Sequence, residues 1–375
     1  MQENTFVYMG DSMLVTPLGV GLAENFSEIL LGHSGIRMIE DDRFFSRDLP
    51  LSKMSDNLLK EARRQFNTHT RFDSLLLKCV DELQQKTTVD LSSEELIIIL
   101  STTKGNVELL AKSPTDERLL LSYSAQFVQH YVKNPNTPII ISNACISGLS
   151  AMIAAKRLLL AGHYKKALVI GCDVLTSFVI KGFNSFHAIS RVPCKPFDLH
   201  RTGINLGEAA AAVILSTELK SDIVVRGGCI TNDANHISGP SKTGEELSYC
   251  LNTSLLEAGL LAADIDFISA HGTATNYNDE MESKAFDLSG LHKPPVFSFK
   301  AIYGHTLGAS AVLEAIISAE CLKRNIILPS YGFEEKGVSG NITVSREIIQ
   351  KDLRNCLKSA SGFGGCNAAL ILQKQ

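Results

Sequence analysis

The sequence predicts an α/β protein built as a five-layered sandwich of two similar halves. Two observations carry that expectation. First, short aliphatic runs alternate with longer segments of helical period: "ELIIILS" (95–101), "PIIISN" (138–143), "KALVIG" (166–171), "AAAVILS" (210–216), "DFISAHG" (266–272) and "PPVFSF" (294–299). Strands without polar alternation are covered on both faces, which means helices above and below a sheet. Second, one pattern occurs twice. "PIIISNAC" leads into "SGLSAMIAAKRLLLAG" and then "KKALVIG"; "PPVFSFK" leads into "GHTLGASAVLEAIISAECLKRN" and then "IILP". Each copy reads strand, elbow with a chemically capable residue (Cys145, then Lys300), small-residue helix, strand. The small faces "SGLSAMIAA" and "GASAVLEA" suit helices squeezed between two sheets.

The polar stretch "STELKSD" (216–222) is the best boundary, because strand-like "IVVRGG" starts the pattern again behind it. The halves are therefore 1–217 and 218–375. At 375 residues the chain is long enough for two packed units. A net charge of −4 offers no broad basic field, so nucleic acid is not an expected partner. Nine cysteines without a CxxC pair do not form a disulfide framework, and the expected compartment is the reducing cytoplasm. No apolar run approaches the roughly 18 residues of a spanning helix, and "MQENTFVYMGDSML" lacks the basic-then-apolar order of a secretory signal.

Candidate chemistry clusters at the elbows. A buried cysteine is usually a small apolar filler. Cys145 instead stands just before a helix N-terminus, where unpaired N–H groups and the helix dipole favour an anion and should lower a thiol's pKa. His271 ends "IDFISA", and His305 follows Lys300 by five residues in "KAIYGHTLGA". Strand ends of an α/β sheet are where sites form. Glu314, among apolar neighbours on the following helix, needs a partner such as Lys300 or backbone N–H. "SGFGGCNAALIL" (361–372) places three glycines around Phe363 and is no dinucleotide fingerprint, because its spacing differs and no helix follows. P-loop, HExxH and GxSxG motifs and zinc-spaced Cys/His clusters do not occur. Cys79, Cys172, Cys194, Cys229, Cys250, Cys321 and Cys356 read as structural; Cys366, beside the glycine loop, stays open.

Taken together, "NACISG", "HGTATNYND", "SFKAIYGHTLGASAVLE" and "GFGGCN" resemble, in order and spacing, the β-ketoacyl-acyl carrier protein synthases, condensing enzymes of the thiolase superfamily. "VTPLG" (15–19) and "PFDLHRTGINLGEAA" (196–210) extend the likeness over nearly the whole chain. The resemblance implies the thiolase fold, an αβαβα sandwich, and an elongating acyltransferase of Cys-His-His type. It implies Cys145 as the acylated nucleophile, His271 and His305 as enolate stabilisers, and Lys300 and Glu314 as residues that order the site. Phe363 becomes a gate, with Cys145, Phe363 and Gly364 around the oxyanion position. Initiating synthases that share the scaffold carry asparagine where His305 stands, and chain-length-factor partners lack the nucleophile.

It further implies no metal and no dissociable cofactor, since phosphopantetheine arrives on an acyl carrier protein. Homodimerisation is expected, with a chain-length-factor heterodimer as the alternative. Lys60, Arg63 and Arg64 fall on one face of "NLLKEARRQF", with Arg71 shortly after, as a basic dock for the acidic carrier. Three departures bear on the acyl chain: Ile146 follows the nucleophile, Ser361 precedes the gate, and the segment before Cys145 is short. "GEAAA" (207–211) also departs from the usual glycine-rich form. Two rival readings share the scaffold: an acyltransferase that does not decarboxylate, and a non-catalytic partner. Fatty acid, polyene or pigment, and polyketide synthesis are all compatible pathways.

Overall fold

The computed structural model describes residues 6–40, 48–233 and 239–375, which leaves the opening "MQENT" outside. Ten strands build the main sheets: β1 Val7–Thr16, β2 Leu96–Ser101, β3 Ile139–Ile141, β4 Lys166–Asp173, β5 Ala209–Ser216, β6 Ile223–Asn232, β7 Phe267–Ser269, β8 Pro295–Phe297, β9 Asn355–Gly362 and β10 Cys366–Lys374. The first five are ordered 1-5-4-2-3 and the last five 6-10-9-7-8, with Thr343–Val344 as an extra edge. The two orders are the same when five is added to each number. Strand senses repeat as well: β2 is parallel to β3 and β4, and β7 to β8 and β9, while β5 is antiparallel to β1 and β4, and β10 to β6 and β9. A short antiparallel contact, Val7 with Val225 and Tyr8 with Val224, stitches β1 to β6 and joins the two sheets.

The helices are α1 Leu22–Leu30, α2 Asp56–Phe66, α3 Arg71–Lys86, α4 Leu121–Val132, α5 Ser147–Leu160, α6 Ser177–Ser185, α7 Glu245–Ala258, α8 Asn276–Leu288 and α9 Ser310–Arg324. Helices α3 and α4 cover the outer face of the first sheet, where Leu75, Leu76 and Val80 meet Ile98, Leu168 and Ile214. Helices α7 and α8 cover the second sheet, with Leu251 and Phe286 on Leu357 and Ile371. The middle layer is α5 and α9, touching both sheets and each other. Their small residues explain the approach. A Cβ on Gly148 would lie 2.9 Å from the Val312 nitrogen, so nothing larger than hydrogen fits between the two helices. Burying apolar area on both sheet faces is the main stabilising term, at about 25 cal/mol per Å2. Among the described residues, no helix is long and apolar enough to cross a membrane.

Several strands are shorter than their aliphatic runs. The residues after Ile141, Ser269 and Phe297 turn away to form the site instead of continuing a ladder. The "IILP" segment differs more. Ile326–Ile327 pairs with Ile349–Gln350 in a small separate sheet, because β9 already fills the position equivalent to β4.

Candidate active site

Cys145 sits on a tight elbow between β3 and α5. Ala144 takes a left-handed backbone (φ 43°), a conformation a non-glycine residue adopts only under constraint. Ser147 supplies the constraint. Its hydroxyl accepts from the Asn143 amide (2.8 Å) and donates to the Ala144 carbonyl (2.6 Å). The hairpin between β9 and β10 closes against this elbow. A Cβ on Gly362 would lie 3.0 Å from the Cys145 nitrogen, so a side chain there would press the elbow back by a few tenths of an ångström.

His271 and His305 arrive from the second half. The amides of His271 and Gly272 donate to the buried carboxylate of Glu282 at 2.7 and 2.8 Å, which fixes the chain as it leaves β7. Asp279 accepts from the Phe197 and Ala274 amides at 2.7 and 3.1 Å and holds the next stretch. Burial pushes the Asp279 carboxyl up to about 7. His305 follows a single helical turn, Lys300–Tyr303, and Gly304 at φ 64°. Its Nδ1 lies 3.0 Å from the Ser310 hydroxyl, while its buried Nε2 has no hydrogen-bond partner among the described residues.

These groups converge. The Cys145 sulfur and the ring nitrogens of His271 and His305 lie within 4.8 Å of one another. The rings meet edge to face at 5.2 Å between centroids. Beneath them Lys300 is ion-paired to Glu314, and Glu314 is paired at 2.7 Å to a second buried ammonium, Lys358. By donor type, cysteine and two histidines could ligate zinc, yet the two ammonium groups below them repel a dication.

The three residues open onto a cavity of about 230 Å3, lined among others by Thr273, Thr275 and the rings of Phe183, Phe186 and Phe363. The Phe363 ring packs on Phe183 (5.4 Å) and Phe186 (5.3 Å), and Phe183 meets the His305 ring edge-on. Gly364 is not part of this lining. It and Gly365 (φ 87° and 74°) form the hairpin tip, and Gly362 is the glycine that lies against Cys145. Cys366 packs beside the elbow, 3.1 Å from the Phe363 carbonyl, and its burial raises the thiol pKa.

Electrostatics correct one expectation. Burial pushes the Cys145 thiol up to about 12, with only partial relief from Lys300, so the resting residue carries its proton despite the helix N-terminus beside it. Burial and then Lys300 hold both imidazoles well below their ordinary value, and Lys358 acts in the same sense. Both rings are neutral at pH 7, each with one N–H and one lone pair.

Arg71 is also corrected. It starts α3 with only 13% of its side chain exposed, paired to Asp56 (2.6 Å) and to Glu208 (2.5 Å). Glu208, the glutamate of "GEAAA", is buried and also accepts from the Met54 and Leu175 amides. An arginine so engaged is a structural pin and presents nothing to a partner. Lys60, Arg63 and Arg64 do lie exposed on α2. Sequence reading missed Lys358, Glu282, Gly362 and the ring pair Phe183 and Phe186. A lone lysine inside the otherwise small and apolar "NCLKSASG" was the available signal for the first.

Residues 112–221 match the family described as "Beta-ketoacyl synthase, N-terminal domain", and residues 223–334 match "Beta-ketoacyl synthase, C-terminal domain". The chain is similar to "3-oxoacyl-[acyl-carrier-protein] synthase 2" of Mycobacterium leprae, 27% identical across 95% of this chain and 94% of that one. The protein of the same name from Rhizobium meliloti is 30% identical over 66% of this chain and 62% of its own. Among solved structures, a ketosynthase (ApeO) in complex with its chain length factor (ApeC) from Xenorhabdus doucetiae superposes with a TM-score of 0.84. The match covers 100% of this chain and 99% of that one at 24% identity.

Proposed function

This chain belongs to the β-ketoacyl synthase family, and from that premise we propose that it is an elongating 3-oxoacyl-[acyl-carrier-protein] synthase. The observation that carries the reading is the meeting of the Cys145 sulfur with two neutral imidazoles, within 4.8 Å, on a cavity that Phe363 lines.

The chemistry follows from the groups present. Cys145 attacks the thioester of an acyl carrier, its proton leaves with the departing carrier thiol, and an acyl-Cys145 thioester forms. Splitting the reaction in this way replaces one difficult step by two easier ones. Malonyl carrier then enters and loses carbon dioxide. The electron pair of the broken C–C bond moves into the thioester as an enolate, whose oxygen accepts N–H bonds from His271 and His305. A Ser310 hydroxyl that donates to His305 Nδ1 leaves the ring proton on Nε2, the atom without a partner among the described residues. Preorganised donors of this kind contribute about 3 kcal/mol each. The carbanion attacks the acyl carbonyl, the bond to Cys145 breaks, and the thiol regains a proton. No step calls for a metal or a dissociable cofactor; the phosphopantetheine comes with the carrier. With malonyl and acyl carriers as substrates, carbon dioxide and a 3-oxoacyl carrier two carbons longer are expected in equal amounts. Acyl transfer without carbon dioxide would overturn this reading in favour of a plain acyltransferase.

We place the reaction in the reducing cytoplasm, which suits nine cysteines that are all free thiols. The partner is an acyl carrier protein, which is acidic, and the exposed cations of α2 suit it. Reversing Lys60, Arg63 and Arg64 to glutamate should raise KM for the carrier by about tenfold while leaving turnover of a short carrier-free thioester unchanged. An unaltered KM would remove α2 from the dock. The protein pairs with a second copy or with a chain-length-factor-like ketosynthase, as the ApeO structure does with ApeC. The intact Cys145 weighs against a purely non-catalytic role.

A further inference from the structure

Lys358 lies in the middle of β9, fully buried, on the same face as Cys356 and Ala360, both of which pack into the apolar middle layer. An ammonium there carries a large desolvation penalty unless several acceptors surround it. Four oxygens do. Its Nζ donates to the carbonyls of Ser269 (3.0 Å), Ala270 (3.2 Å) and Ser359 (2.7 Å) and is ion-paired to Glu314 at 2.7 Å. Every partner is an acceptor, so only the three-donor cation satisfies the set. Ser269 and Ala270 are the last two residues before His271.

We propose that Lys358 is a positioning residue of the condensation: its ammonium clamps the strand end that delivers His271, and it adds a second positive charge beneath the imidazoles that face the enolate. This role rests on the reaction proposed for the site and extends it. Lys300 alone would be neutralised by Glu314. With Lys358 present, two cations share that one carboxylate. Among the described residues the remaining charged neighbour is Glu282 from α8, on the opposite side of β9, where its oxygens are occupied by the His271 and Gly272 amides and the Ser359 hydroxyl (2.6 Å). His271, His305 and the Cys145 thiol are the other titratable groups of this floor. Burial and the nearby Lys300 lower the Lys358 pKa, which Glu314 opposes. A positive floor resists protonation of the rings and draws the developing negative charge of the enolate toward them.

The test uses K358M, which keeps the length and removes the charge, with K358R as the charge-preserving control. In the wild-type protein the two imidazoles should stay neutral well below pH 6.5. In K358M their titration, followed by NMR of ring-15N-labelled histidine, should move up by roughly one pH unit, because a lost cation makes a second cation easier to form. The acid limb of malonyl decarboxylation should move with it. At pH 7 kcat should fall about tenfold with KM for malonyl carrier changed less than twofold, the split expected when a group acts only as charge develops. K358R should restore both readouts. An unmoved imidazole titration in a folded K358M would overturn the proposal. If K358M does not fold, K358Q, which keeps an N–H donor, takes its place with the same two outcomes. Should neither uncharged variant fold while K358R does, the ammonium serves only the fold and the proposal falls. The ring titration is read without turnover, so a wild-type protein that fails to decarboxylate malonyl carrier would refute the reaction and leave this measurement standing.

Discussion

Cys145→Ala abolishes formation of the acyl-enzyme, and condensation falls by about 10^4-fold or more, the scale seen when a covalent nucleophile is removed. Intact-mass spectrometry after exposure to acyl carrier should show no added acyl mass, where the wild-type protein gains one. Malonyl decarboxylation should survive within about tenfold, because the enolate is held by imidazoles and not by sulfur. That asymmetry is the informative part. Loss of both activities would mean that the thiol holds the pocket together, and retained acylation would move the nucleophile elsewhere. Replacing a buried thiol of this size by methyl should cost about 1 kcal/mol of stability, too little to unfold the protein.

His271→Ala and His305→Ala should each lower malonyl decarboxylation by about 100-fold, the value of one lost donor near 3 kcal/mol. Acylation of Cys145 should fall much less, since neither ring is needed to hold the acyl carbonyl. The double variant should lose less than the product of the two effects, because a single remaining donor is a poorer hole than half of a pair. Separate assays of carbon dioxide release and of acyl-enzyme mass distinguish the steps. If either variant lost acylation as strongly as decarboxylation, that ring would be the base for the thiol and not a donor to the enolate. The neutral state of both rings makes the acid side of the rate profile flat to below the ordinary imidazole range, since their pKa values are lowered and protonation comes late.

What the sequence made legible, and what it hid, divides along physical lines. Cys145, His271 and His305 were readable because each stands where an aliphatic run meets glycine or a small-residue helix, and such junctions depend on neighbours in the chain. The Lys300–Glu314 pair was readable for the same reason, its members lying 14 residues apart in a single stretch. Lys358 was not, because its role depends on Glu314 and on the carbonyls of another strand. Arg71 was misjudged as a surface cation for the converse reason: Asp56 and Glu208, which bury it, lie in segments that give no hint of meeting. The Cys145 elbow was foreseen, but the direction of its acidity was not. A helix N-terminus is a local feature, whereas the burial that outweighs it is created by the hairpin carrying Gly362 and by the whole second half.

The stitch between Val7–Tyr8 and Val224–Val225 has a consequence beyond architecture. Since sulfur and imidazoles belong to opposite sides of that seam, the three groups meet only while both sides stay docked. A fragment containing one side alone therefore carries either the nucleophile or the imidazole pair and cannot complete the condensation.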